Sequence, residues 1–109
     1  MSLNHVIITG NLGNDPESFY NGDGLPIASF SLAFNSSKKE TTNWIKVVCF
    51  NRLAKVVIEW LAKGSKITVS GSLDQDKWEA DDGTKKSSFK IIANSLEFIR
   101  TKKYQEEPF

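Results

Sequence analysis

Residues 43–73 read NWIKVVCFNRLAKVVIEWLAKGSKITVSGSL, and two changes of period within them decide the fold. From Asn43 to Phe50 the side chains alternate: Ile45, Val47 and Cys49 share one face, and Trp44, Lys46, Val48 and Phe50 the other. A strand with one face in a core shows this pattern. From Arg52 to Lys63 the apolar residues are Leu53, Val56, Val57, Trp60 and Leu61, the stripe of an amphipathic helix, which puts Trp60 in the core. Gly64 then ends the helix, and Lys66 to Leu73 alternates again, with Ile67, Val69, Gly71 and Leu73 on one side.

On the N-terminal side, Val6 to Leu12 and Leu25 to Phe34 alternate as strands, and Asn14-Asp15-Pro16 and Asn21-Gly22-Asp23-Gly24 between them supply turn chemistry. Asn35 to Thr42 is polar and reads as a loop. On the C-terminal side, Asp81-Asp82-Gly83 marks a hairpin tip, and Phe89 to Ile99 is the last strand region. The order is three strands, a helix and two strands. That is the order of an OB-fold, an all-β five-stranded Greek-key barrel with its helix between strands three and four. Gly10 and Gly71 interrupt strand patterns, where glycine marks the sharp bends that a small barrel needs. The expected organisation is one domain over residues 1–100 and a short tail over 101–109.

Composition narrows the function classes. The chain has 109 residues, 39% hydrophobic and 25% charged, and no apolar run approaches a membrane span. The opening MSLNHVIITGNLG shows no basic stretch followed by a long apolar one, so no secretory leader and a cytoplasmic setting are expected. Cys49 is the only cysteine and His5 the only histidine, which leaves no internal disulfide and no Cys/His metal set. A Cys49–His5 dyad would need an open cleft, and Cys49 falls on the core face. Asp74, Asp76, Asp81 and Asp82 are interleaved with lysines and read as solvated or paired charges. Neither an enzyme nor a cofactor or metal site is expected. Formal net charge is +1, but two of the acidic residues lie in the last four positions, and residues 1–105 carry +3.

Five stretches, taken together, resemble a known family. VIITGNLGNDPESFYNGDG, LPIASFSLAFN, NWIKVVCFNRLAKVVIEWLAKGSKITVSGSL, KWEADDGTKKSSFKIIANSLEFI and the terminal Glu-Glu-Pro-Phe are similar, in unbroken order, to bacterial single-stranded DNA-binding proteins. The resemblance covers roughly residues 3–99 and the tip. It implies a sequence-tolerant coat for single-stranded DNA in replication, recombination and repair, usually as a homotetramer. It also implies stacking of bases on Trp44, Phe50 and Trp78. Lys46, Arg52, Lys63 and Lys77 match positions that contact the DNA backbone. Lys85, Lys86 and Lys90 join them by location on the last hairpin and strand, whereas Lys66, Lys102 and Lys103 read as solvated surface charges. The tip Glu106, Glu107, Pro108 and Phe109 would recruit partner proteins, but over a short reach, since Arg100 to Phe109 spans at most about 33–36 Å. Some relatives carry a further tryptophan in the loop after strand two. Asn35-Ser36-Ser37-Lys38-Lys39 has none, and Lys38 and Lys39 there suit phosphate.

The residues alone also support Trp44 and Phe50 as a platform: unpaired bases expose flat π-faces next to phosphates, and two aromatics with a lysine between them suit both. Apolar side chains on both faces of Val6-Ile7-Ile8, and Val48 on an outward face, point to burial against a second subunit. Two other OB-fold readings compete, a primosome accessory acting through protein contacts and an RNA-binding module.

Overall fold

The computed structural model describes residues 3–38 and 41–101. Six strands and one helix follow in the order β1 (Val6–Leu12), β2 (Glu17–Tyr20), β3 (Pro26–Asn35), β4 (Thr42–Phe50), α1 (Asn51–Trp60), β5 (Lys66–Glu79) and β6 (Lys85–Arg100). β1 pairs with β5, β5 with β6, β6 with β4, β4 with β3, and β3 returns to β1, so the sheet closes on itself as the OB-fold reading expects. Only β4 and β6 run parallel, through Lys46↔Lys90, Val47↔Ile91 and Val48↔Ile92.

β2 is a strand that the sequence pattern did not reveal. Its four residues are all exposed, so ESFY carries no alternation of burial. β2 pairs with β3 at Pro26–Ser29 and β1 pairs with the same edge of β3 at Leu32 and Ala33, so the two are halves of one interrupted strand. The break lies at residues 13–16, where Gly13 N–H donates to Ser31 O (2.8 Å) and Asn14 Oδ1 accepts from Ser31 N–H (2.9 Å). Counted as one strand, β1 and β2 restore the expected five.

The core gathers Leu12, Phe30, Leu32, Val47, Cys49, Ala54, Val57, Leu61, Ile67, Val69 and Ile91, the inward faces of the strands closed at one end by α1. Closure brings backbones together where only glycine fits. A Cβ on Gly10 would collide with the Ala33 carbonyl, and one on Gly71 with the Ile92 carbonyl, next to a bulge between Ser70 and Gly71.

The helix ends three residues before the expected Lys63. Leu61 is already extended, because residues 61–65 are tied to the β1–β2 connection instead of continuing α1. Lys63 N–H donates to Asp15 Oδ1 (2.8 Å), Gly64 N–H to Leu12 O (2.9 Å) and Leu12 N–H to Ser65 O (2.9 Å). Leu61 thereby reaches the core, whereas Trp60, expected there, is 42% exposed. β5 runs six residues past Leu73 and β6 starts four before Phe89, because the last hairpin is held by its ladder, from Asp74↔Lys90 to Glu79↔Lys85, and not by burial. Val48 is 7% exposed within one chain, paired with Ser29 and Ile92, so it needs no second subunit to cover it. Ile7 does remain exposed on β1. Among the described residues no helix is long and apolar enough to cross a membrane.

Candidate nucleic-acid interface

β4 carries the first half of the interface. Its alternation sends Ile45, Val47 and Cys49 inward and leaves Trp44, Lys46 and Phe50 exposed on the opposite face, where Val48 is covered. Trp44 is 61% exposed and Phe50 41%. Trp44 pairs with Ala33, and its indole lies against Gly13, with Cη2 3.0 Å and Cε3 3.3 Å from where a Cβ on Gly13 would stand. Because the Gly13–Asn14 segment is pinned to Ser31, the ring rests on a fixed bed. Asn51 takes a left-handed φ of 57°, which turns the chain sharply from β4 into α1 directly after Phe50 and before the exposed Arg52. Asparagine tolerates this region better than most residues.

Phe50 pairs with Ile27, and Ile27 pairs with Phe19 of β2, so three apolar side chains form one outward row ending in the exposed Phe19. Sequence reading missed Phe19 because it missed β2. The available signal was an aromatic pair, Phe19-Tyr20, placed between two turn clusters.

The last hairpin carries the second half. Trp78 is 48% exposed and pairs with Lys86, Lys77 pairs with Ser87, and Glu79 with Lys85. Together with Gln75 these residues line an open groove of about 410 Å³ around the hairpin. Trp78 and Lys86, directly paired, share one face of this ladder, while Lys77, Lys85 and the carboxylate of Glu79 belong to the other. Lys90 lies between the two halves, paired with both Lys46 and Asp74. Its Nζ is 3.0 Å from Asp76 Oδ1, so its charge is shared with a carboxylate and less available to a phosphate.

Of the residues marked by sequence, Trp44, Lys46 and Phe50 lie together on β4, with Lys90 beside Lys46. Lys77, Trp78, Lys85 and Lys86 lie together on the hairpin, and Arg52 and Lys63 are exposed at the two ends of the helical segment. Lys39 and the tip Glu106, Glu107, Pro108 and Phe109 fall outside the described residues. A catalytic pairing of Cys49 and His5 has no basis. Burial pushes the Cys49 thiol up to about 12, and the His5 ring engages the Ser70 hydroxyl (3.3 Å). Among the described residues, no three His, Cys, Asp or Glu side chains converge as a metal site requires.

Comparison with known proteins agrees with this geometry. The model of the single-strand binding protein family matches residues 3–99. The single-stranded DNA-binding protein of Xanthomonas campestris pv. campestris is 40% identical over 104 residues, covering 89% of this chain and 60% of the relative. That of Xylella fastidiosa (strain Temecula1) is 36% identical over 104 residues, covering 89% of this chain and 63% of the relative. The chain thus spans about three-fifths of the length of these curated relatives. Among solved structures, the Plasmodium falciparum SSB complex with ssDNA superimposes with a TM-score of 0.83 at 27% identity, covering 91% of this chain and 96% of that one.

Proposed function

The chain belongs to the single-strand binding protein family, and from that premise we propose that it coats single-stranded DNA without strong sequence preference and catalyses no reaction. The observation that carries this reading is that Trp44, Phe50 and Trp78 are open to solvent, with Lys46 on the same face of β4 as the first two and Lys86 paired with the third. Bases stack on Trp44, Phe50 and Trp78. Stacking of this kind contributes roughly 1–3 kcal/mol per base whatever the base is. Lys46, Arg52, Lys63, Lys77, Lys85 and Lys86 neutralise phosphates, and Lys90 does so when it exchanges Asp76 for one. The strand passes from the barrel face to the hairpin and is held by rings and charge, not by base-edge recognition.

The wider role follows the family: protection of unpaired DNA in replication, recombination and repair, in the cytoplasm or an organelle nucleoid. The tip Glu106-Glu107-Pro108-Phe109 recruits partner proteins, with its ring entering an apolar pocket while the carboxylates meet basic side chains. The exposed Ile7 on β1 supports association of copies, in keeping with a homotetramer. The deciding experiment is titration with oligo-dT, duplex DNA and RNA of equal length, read by tryptophan fluorescence. We expect strong quenching by oligo-dT and weak response to duplex. Equal affinity for duplex would refute the reading, and a clear preference for RNA would favour the RNA-binding alternative.

A further inference from the structure

A polar groove of about 390 Å³ opens on the barrel beside the Trp44 bed, lined among others by Thr9, Asn11, Ala33, Asn35, Thr42 and Lys66. It lies in direct line with Trp44. Trp44 pairs with Ala33, Ala33 with Asn11, and Asn11 with Lys66, so one row crosses β4, β3, β1 and β5. We infer that this groove is a nucleotide subsite, in which the sugar–phosphate next to the base stacked on Trp44 is held by Lys66 and by the amides and hydroxyls around it. This inference rests on the proposed binding of single-stranded DNA and extends its path along the Trp44 row toward Lys66.

Three features carry it. The first is composition: besides Phe34 the lining residues include carboxamides, hydroxyls and one lysine, and no carboxylate. Such a set suits a phosphodiester and a sugar, not an apolar peptide. The second is charge. Lys66 is paired with Arg100 across β5 and β6, and among the described residues neither is in an ion pair. Like charges placed opposite each other on a ladder destabilise it, and an anion between them relieves the repulsion. The third is order. Asn11 Nδ2 donates to Gly64 O (3.2 Å), which orients its carboxamide before anything binds. Lys66 is half-buried, so its stem is held against the barrel, in contrast to the freely solvated lysine its sequence context implies.

Poly(dT) binding as a function of salt tests the assignment, because a single-stranded phosphate contact contributes about 0.7 to the slope of log affinity against log salt. Five proteins are compared: wild type, Lys66→Gln, Lys55→Gln on the exposed face of α1, Asn35→Ala and Trp44→Ala. Thermal melts confirm that each is folded. Lys66→Gln is expected to lower the slope by about 0.7 and to weaken binding by about fivefold at 0.1 M relative to 1 M salt, while Lys55→Gln keeps the wild-type slope. Asn35→Ala, which keeps every charge, is expected to weaken binding with the slope unchanged. If Lys66→Gln binds as wild type while Trp44→Ala binds weakly, the groove is overturned and the aromatic path stands. If Lys66→Gln and Lys55→Gln lower the slope equally, only diffuse charge is at work and the groove is again overturned. If poly(dT) binds none of the five, or binds all five alike, the parent reading fails and the groove fails with it.

Discussion

Gly13→Ala adds one methyl group, and the structure specifies where it goes: onto the six-membered ring of Trp44, between Cζ3, Cη2 and Cε3. The backbone beneath cannot yield easily, because Gly13 N–H and Asn14 Oδ1 are both bonded to Ser31. The ring, being mostly exposed, can yield. It therefore swings off its bed at little cost to folding; had it been confined, overpacking would cost about 1–3 kcal/mol. A displaced ring loses its prepared stacking geometry, and the loss approaches the roughly 1–3 kcal/mol of one stacked base. That is about 5- to 150-fold in dissociation constant. The assay is fluorescence anisotropy of dye-labelled oligo-dT, which does not depend on tryptophan emission. Expected is weakened binding with a melting temperature within a few degrees of wild type. A double-mutant cycle isolates the cause: Gly13→Ala acts through the ring, so it should add nothing on a Trp44→Ala background. Wild-type affinity in Gly13→Ala, or an undiminished further loss in the double variant, would refute the reasoning.

Trp78→Ala should weaken oligo-dT binding by a factor of the same order, about 5- to 150-fold, and remove part of the fluorescence quench; it leaves the melting temperature nearly unchanged, because its hairpin lies outside the core. Gly71→Ala should do the reverse. Its methyl meets the Ile92 carbonyl, a backbone atom in the closing ladder, so we expect a loss of about 1–3 kcal/mol in urea unfolding, and an unchanged midpoint would argue against the bulge as a closure device. Cys49 titrates near 9.0 when unfolded and at about 12 in the barrel. Its thiol therefore contributes stability that is whole below pH 9 and is lost as pH rises toward 12. The stability difference between wild type and Cys49→Ala should shrink over that interval, which unfolding measured at a series of alkaline pH values will show; a constant difference would exclude the linkage.

How far the sequence could be read depended on what each segment is held by. The strands over 6–12, 25–34 and 43–50 were legible because one face of each is buried, and burial imprints alternation. β2 and the outer half of the last hairpin were not, because both are held by backbone pairing, which leaves no mark on side-chain polarity. Trp60 was misplaced for a related reason. The apolar stripe continues through Leu61, but tertiary hydrogen bonds from residues 61–65 to Asp15 and Leu12 end the helix at Trp60. Leu61 then fills the core, and Trp60 is left at its margin.

The order of elements, the inward set of strand residues and the outward position of Trp44 and Phe50 follow from residue type and a period of two, which are local properties of the chain. Which outward residues share a row does not. That Phe19 continues Phe50, that Lys66 stands in line with Trp44 across three pairings, and that Gly13 carries the indole ring are matters of register between segments up to about fifty residues apart. Register is set by how the closed sheet satisfies every backbone hydrogen bond at once, a condition that exists only in the folded barrel.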